Sequence, residues 1–379
     1  MRAALRPRIA PQFALVTLLA VLVAGVAVAS PPPVDADAYF VQNATTGEVL
    51  AALDERDQVP IASITKLMTA LITLELTKPD ELVTVSQGAA AIGESTIHLV
   101  PGERISVADL LRAALIQSAN DAANALAAHV GGTVPRFVGL MNARARELGL
   151  TDTHFANPDG LDAPGHVSSA RDVTKLARVA MRKPFIRETV RLVETTAGGR
   201  RLVNWNDLLS SFPRLLGVKT GHTNGAGWSQ VAAARGSGIT VYATLLGGST
   251  RDGRNLDLAA LLEWGFDQYR TVWAVDGART YATAETAYGR ADVRLVAARP
   301  MLRVVRVDRA LVERVVAPLQ VRLPVREGQR LGEVEILDGG EVVARSPLVA
   351  AEGIARPGPL GRVGFYAGRT LHHLGGLFS

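Results

Sequence analysis

A chain that opens with the layout of an export signal and has no cysteine must hold itself together outside the cytoplasm by a packed apolar core. Arg2, Arg6 and Arg8 form a positive segment, Phe13 to Val26 an apolar one, and Ala27-Val28-Ala29 a small-x-small site. This pattern predicts cleavage before Ser30. A retained anchor is the competing reading, for which the apolar run is slightly short. Either reading leaves the body of the chain outside the cytoplasm. With 379 residues, 48% of them hydrophobic, there is enough chain for two domains with a sizeable core. The absence of cysteine also excludes disulfides and thiolate metal sites. The net charge of +5 comes from arginines scattered along the chain rather than from one run. That pattern describes a solvated surface and not a nucleic-acid footprint, and it is compatible with an acidic polymer or a membrane surface.

Pro31-Pro32-Pro33 predicts a stiff linker over residues 30–37. Ala38 to Gln42 and Glu48 to Ala51 flank the polar turn Asn43 to Gly47, a β-hairpin signature. Short strands and turns are expected from Pro79 to Gly102. Helical spacing runs from Val107 to Val130, with a break near Gln117, and returns over Phe137 to Leu148 and Ala170 to Met181. The turn-rich loop Asn157 to Asp162 lies between the last two. Strands are expected over Leu215 to Lys219, Ser229 to Ala234 and Ile239 to Leu246, then a helix over Leu256 to Tyr269. Hairpin, helical insert, strands and closing helix together predict an α+β sheet with helices packed on it. After about Trp273 the composition changes to short Val- and Arg-rich alternating runs, and Asp338-Gly339-Gly340 marks a hairpin turn. A second, all-β domain over residues 273–352, a small sandwich without visible chemistry, is the expectation.

Three short motifs carry the chemistry. In Pro60 to Leu71, PIASITKLMTAL, Ser63 opens a predicted helix with Lys66 one turn on, so hydroxyl and amine can meet on one face. A serine so placed has a nearby base to take its proton. Ser118-Ala119-Asn120 falls at the helical break, and Lys219-Thr220-Gly221 ends a predicted strand before His222 to Gly225 turns the chain. Each alone reads equally well as a helix cap, a turn or a strand end. Asp152, His154, Asp159, Asp162 and His166 have loop spacing that fits no standard metal site, so no metal is expected and polar loop packing is the reading preferred.

The order Ser-x-x-Lys, Ser-x-Asn, Lys-Thr-Gly resembles the penicillin-binding proteins and serine β-lactamases. It is most similar to the low-molecular-mass penicillin-binding proteins, the D-alanyl-D-alanine carboxypeptidases. The flanking stretches Ser118 to Ala122, Asn157 to Ala170 and Lys219 to Thr223 strengthen the resemblance. It implies a β-lactamase-like domain with an antiparallel sheet over residues 38–272, and no cofactor. Ser63 is then the nucleophile, attacking the carbonyl between two D-alanines, and neutral Lys66 its base. A neighbouring cation such as Lys219, with partial burial, would lower the Lys66 pKa. Ser118 relays the proton to the leaving amine, Asn120 holds the substrate backbone, and Lys219 and Thr220 bind the terminal carboxylate. Gly221 keeps the strand edge open for the peptide. The oxyanion hole is formed by the backbone N–H groups of Ser63 and His222. The His222 side chain is read as solvated. The implied partners are peptidoglycan stem peptides and β-lactams, which would acylate Ser63 and leave slowly.

A class A-type β-lactamase is the nearest rival, but Glu147-Leu148-Gly149-Leu150 and Glu188-Thr189-Val190-Arg191 do not match the Glu-x-x-Leu-Asn pattern of its second base. A DD-endopeptidase cutting cross-links and a non-catalytic wall-binding scaffold complete the set of competing functions. In the tail, residues 353–379, Val363, Leu371, Leu374 and Phe378 can share a helical face with Arg362, Arg369, His372 and His373 nearby. Such a helix would lie in the outer face of the cytoplasmic membrane, although its glycines weaken it.

Overall fold

The computed structural model describes the backbone of residues 15–20 and 29–375 and the side chains of residues 29–367. Residues Ala29–Gln268 form one compact unit, and a second begins at Tyr269. The expected export segment lies outside the described residues except for Leu15–Ala20, an edge strand whose backbone runs antiparallel to Leu311–Ala317.

The first unit is built on a five-stranded antiparallel sheet. In chain order its strands are β1 (Ala38–Asn43), β2 (Val49–Leu53), β3 (Leu215–Thr223), β4 (Gly227–Gly236) and β5 (Ile239–Gly248), arranged β2-β1-β5-β4-β3. The strand carrying Lys219-Thr220-Gly221 is therefore at the edge. It runs on to Thr223, so the motif lies within the strand rather than at its end.

Between β2 and β3 the chain inserts its helices: α1 (Lys66–Leu76), α2 (Val107–Arg112), α3 (Asn120–Gly131), α4 (Val134–Glu147) and α5 (Ala170–Ala180). The last helix of this unit, α6 (Arg251–Asp267), follows β5. Adjacent side chains on a strand point to opposite faces, and β5 uses both. Thr244 Oγ1 meets Thr174 of α5 at 2.6 Å. Val241, of opposite parity, lies against Gly265 of α6, where a Cβ would come within 3.1 Å of its side chain. The sheet is thus covered on both sides, which accounts for the nearly uniform burial of β4 and β5.

Helix α1 is central to this unit. Its residues Lys66 to Thr73 are all buried, and Leu67, Met68 and Leu71 are completely enclosed. They pack in one cluster with Leu110, Leu111, Leu126, Phe137, Met141 and Val173 from the surrounding helices. A helix enclosed on all sides over its first two turns belongs to the core, and this one carries Lys66 into it.

The helical break foreseen near Gln117 is a π-turn over Ala113–Gln117, ended by Ser118 in the left-handed conformation (φ 64°). Wide turns and left-handed non-glycine residues cost conformational energy and collect at functional positions.

The second unit is all-β in its body. Its larger sheet has the order Leu15–Ala20, Leu311–Ala317, Arg330–Asp338, Glu341–Ala350, Val293–Ala297, Thr280–Thr286, Gln320–Val321, and Tyr269–Val275 pairs separately with Met301–Arg306. The Asp338 turn joins two strands as expected, with Gly339 and Gly340 both at positive φ. A helix, Pro359–Gly375, follows in spite of its glycines. Leu360, Val363 and Tyr366 are exposed on it, and Phe365 and Tyr366 meet Tyr288 edge-on at 5.9 and 6.0 Å. Among the described residues no helix is long and apolar enough to cross a membrane.

Replacing Leu67 by Ala should lower unfolding stability by about 2–5 kcal/mol, the cost of a cavity in a filled core. Denaturant unfolding checks this; a loss under about 1 kcal/mol would show that α1 is not tightly packed.

Candidate active site

Ser63 lies in a 3₁₀ turn, Ala62–Thr65, and α1 begins only at Lys66. The helix start is therefore one short turn later than the sequence pattern suggests. Ala62 has φ +48°, a conformation that alanine adopts only under constraint. Two glycines supply the constraint by close approach. At Gly160 a Cβ would sit 2.0 Å from the Ala62 carbonyl oxygen, and at Gly221 it would come within 2.8 Å of the Ile61 carbonyl oxygen and 3.2 Å of the Ser63 nitrogen. Gly221 thus lets β3 reach the nucleophile turn, a reason for glycine that adds to the open strand edge expected from sequence.

On its buried side the turn is fixed by His166, whose Nε2 lies 2.7 Å from Thr65 Oγ1. His166 Nδ1 accepts the Ala156 N–H at 3.0 Å, so Nε2 carries the hydrogen that is donated to Thr65. Burial lowers the His166 pKa to about 4 and keeps the ring neutral.

Lys66 is 0% exposed and has three contacts at 2.7 Å: Ser63 Oγ, Asn120 Oδ1 and the Asp159 carbonyl oxygen. Two of the three are obligate acceptors. The Asn120 orientation is set by its Nδ2, which donates to the Gly93 carbonyl at 3.2 Å. A neutral amine has two hydrogens and one lone pair. With both hydrogens given to Asn120 and Asp159, the lone pair faces Ser63, whose hydroxyl becomes the donor. The burial that encloses the group also favours its neutral form, lowering the Lys66 pKa to about 8 against the opposing pull of Asp159, Asp121 and Glu94. Burial is complete rather than partial, and it outweighs those carboxylates.

Ser118 is brought in by the π-turn and meets Lys219 Nζ at 3.0 Å rather than Lys66. Lys219 also donates to the Thr220 carbonyl at 3.0 Å. It is fully enclosed, and burial followed by the Lys66 and Arg254 charges pushes its pKa well below the ordinary lysine value. Asp121, in the same segment as Ser118, is buried and accepts N–H groups of Ile97 and Leu99. Together with the Asn120 N–H bond to the Ser95 carbonyl at 2.7 Å, it binds the 92–99 loop to the Ser118 segment.

The side chains of Asp152, His154, Asp159, Asp162 and His166 are occupied separately. Asp152 pairs with Arg56, His154 with the Gly165 carbonyl, Asp159 with Asn124, and Asp162 with Thr223. Among the described residues no group of three or more histidines and carboxylates is placed to hold a metal.

These elements surround a cleft of about 270 Å³ whose walls include Ser63, Ser118, Thr220, His222, Trp205 and Arg254. His222 is exposed, as expected, and one face of its ring stacks on Trp228 with centroids 3.9 Å apart. Arg254 is the residue missed by sequence reasoning. Its side chain is only 2% exposed, yet the nearest carboxylate, Asp207, is 3.8 Å away. Asp207 is instead held by Arg251 at 2.5 and 2.7 Å. Arg254 Nε and Nη2 donate to Asn255 Oδ1 at 3.2 and 2.7 Å, and an enclosed guanidinium whose one carboxylate partner is distant and shared with Arg251 suits an incoming carboxylate. The available signal was the spacing of Arg251 and Arg254, three apart at the start of a helix.

Residues 25–250 match the D-alanyl-D-alanine carboxypeptidase family, peptidase S11. The chain is 34% identical to the D-alanyl-D-alanine carboxypeptidase DacC of Escherichia coli, over 92% of this chain and 92% of that one. Among solved structures, penicillin binding protein 5 from Haemophilus influenzae aligns with a TM-score of 0.64 at 28% identity, covering 86% of this chain and all of the other. The Streptomyces K15 DD-transpeptidase aligns at 0.60 and 32% identity, covering 63% of this chain and 99% of the other.

Asp159 faces Lys66 as the largest of the charges that favour its protonated form, with Asp121 and Glu94 beside it. Asp159→Asn removes that charge but leaves the backbone carbonyl in place. The acid limb of the pH profile for acylation should then move to lower pH, because the lysine becomes easier to deprotonate. An unchanged limb, or one moved to higher pH, would contradict this.

Proposed function

The chain belongs to the D-alanyl-D-alanine carboxypeptidase family and is a serine peptidase; we propose that Ser63, Lys66 and Ser118 carry its reaction on peptidoglycan stem peptides. The single observation behind these roles is the set of three 2.7 Å contacts of Lys66, which in its neutral form would direct the lone pair at Ser63. Ser63 Oγ attacks the carbonyl between the last two D-alanines while its proton passes to Lys66. The developing oxyanion is received by the backbone N–H groups of Ser63 and His222, a contribution for which one donor is typically worth about 3–4 kcal/mol.

The substrate's terminal carboxylate is held by Thr220 and by Arg254, with Lys219 behind them. Lys219 is bonded to Ser118, so in this reading it keeps the serine hydroxyl directed for proton delivery to the leaving amine. Asn120 serves first as an acceptor for Lys66, and its second amide hydrogen remains for the substrate backbone. Release of D-alanine leaves an acyl-Ser63 ester, which water hydrolyses. A β-lactam presents a strained amide and a carboxylate to the same groups and would acylate Ser63 in the same way.

We place the reaction outside the cytoplasm because of the N-terminal sequence pattern, and hold the helix Pro359–Gly375 to be the segment that rests on the membrane surface. Its exposed Leu360, Val363 and Tyr366 support that reading.

Fluorescent penicillin should label the wild type and fail to label Ser63→Ala. Lys66→Ala should acylate about 10²–10⁴-fold more slowly with the fold retained, the range for losing a positioned base. Mass analysis of a pentapeptide product should show loss of one alanine. Labelling that survives Ser63→Ala, or cleavage of cross-links without alanine release, would overturn the assignment.

A further inference from the structure

A substrate lying on β3 meets more of this protein than its last two residues require. β3 is an edge strand, so an extended peptide can add to it in antiparallel fashion. With the carboxylate at Thr220 and Arg254 and the scissile carbonyl between Ser63 and His222, the reading given above fixes the peptide's direction. Each residue of an extended strand advances about 3.3 Å. The residue that precedes the two D-alanines therefore comes opposite Thr223 to Gly225.

At that place a second cavity of about 350 Å³ opens beside the nucleophile turn, lined by Pro60, Ala62, Gly160, Pro164, Gly225 and Asp162. Most of its wall is apolar or glycine. Asp162 brings the negative charge. Its Oδ1 accepts from Thr223 Oγ1 at 2.6 Å and its Oδ2 from the Gly225 N–H at 3.0 Å. The two bonds fix the carboxylate toward the cavity and leave each oxygen a further lone pair. Gly225 permits the approach, since a Cβ there would lie 3.0 Å from Asp162 Oδ2. Among the described residues no lysine or arginine pairs with Asp162.

We propose that this cavity receives the side chain of the stem-peptide residue preceding the two D-alanines, and that Asp162 favours a side chain bearing a free ammonium group. The proposal rests on the carboxypeptidase reading for the direction of the peptide, and adds a specificity-determining residue to it. The apolar wall takes the methylene stem of such a side chain and the carboxylate at the rim takes its charged end, a division of labour that long cationic side chains commonly use.

The test compares acyl-L-lysyl-D-alanyl-D-alanine carrying a free ε-amine with its Nε-acetyl counterpart. An exposed ion pair gives a modest effect, so kcat/KM for the free amine should exceed that for the acetylated peptide about two- to fivefold at low salt. The ratio should fall toward one as salt is raised to about 1 M. In Asp162→Asn the ratio should be close to one whatever the overall rate. Equal rates in the wild type, a preference indifferent to salt, or a preference kept in Asp162→Asn would overturn the proposal. Should the wild type hydrolyse neither peptide, it is the carboxypeptidase reading that fails. Competition of the two peptides against penicillin labelling then reads the same preference as binding, with the same two outcomes. Should Asp162→Asn fail to fold, the salt dependence of the wild-type ratio decides.

Discussion

The site depends on the burial of one lysine. A charged ammonium enclosed in a core is costly unless it is paired, and the usual relief is loss of the proton. Lys66 has no carboxylate among its hydrogen-bond partners; it has a side-chain amide, a backbone carbonyl and a hydroxyl. With a pKa of about 8, roughly a tenth of the molecules hold it neutral at pH 7. That suits a base working near neutral pH, since it is deprotonated often enough and still basic enough to take a serine proton. The helix around it exists to make this possible. Leu67, Met68 and Leu71 give α1 a packing stabilisation that offsets the cost of carrying a lysine inward.

The rest of the unit brings three segments of chain to that lysine without leaving them loose. The nucleophile turn is pressed between Gly160 and Gly221, so the loop and the edge strand both touch the backbone at Ala62 and Ser63. Asp162 then ties the same loop to the end of the same strand, and His166 ties it to Thr65. The Ser118 segment is shaped by a π-turn and a left-handed residue, and Asp121 anchors its neighbouring loop. Strain at Ala62 and Ser118 is retained because the surrounding contacts over-determine both positions. The geometry of the nucleophile is thus a property of packing between elements and not of the Ser-x-x-Lys turn alone.

What could be read from the sequence follows from this division. Ser63, Lys66, Ser118, Asn120, Lys219 and Thr220 were legible because their chemistry lies in side-chain type and in the order of three motifs. The sheet, the helical insert and the Asp338 hairpin were legible because hydrophobic period and turn residues are local. The Asp159 carbonyl was not, since every residue has one and only the fold decides which carbonyl meets Lys66. Arg254 was hidden because nothing in a helical Arg-x-x-Arg says that one arginine will neutralise Asp207 and its neighbour remain under-paired beside the cleft. A further reason for Gly221, the close approach by Ile61 and Ser63, far away in sequence, cannot be seen from the strand itself.

The central claim is that Lys66 is a buried amine with a lowered pKa, held with its lone pair toward Ser63. Direct titration of that amine by NMR, using lysine labelled at Cε and the Lys66→Arg variant to assign the signal, tests it most closely. The predicted result is a transition near pH 8, well separated from the surface lysines. A transition at the ordinary lysine value of about 10.4 would show that the group stays charged through the working range, and would contradict the account.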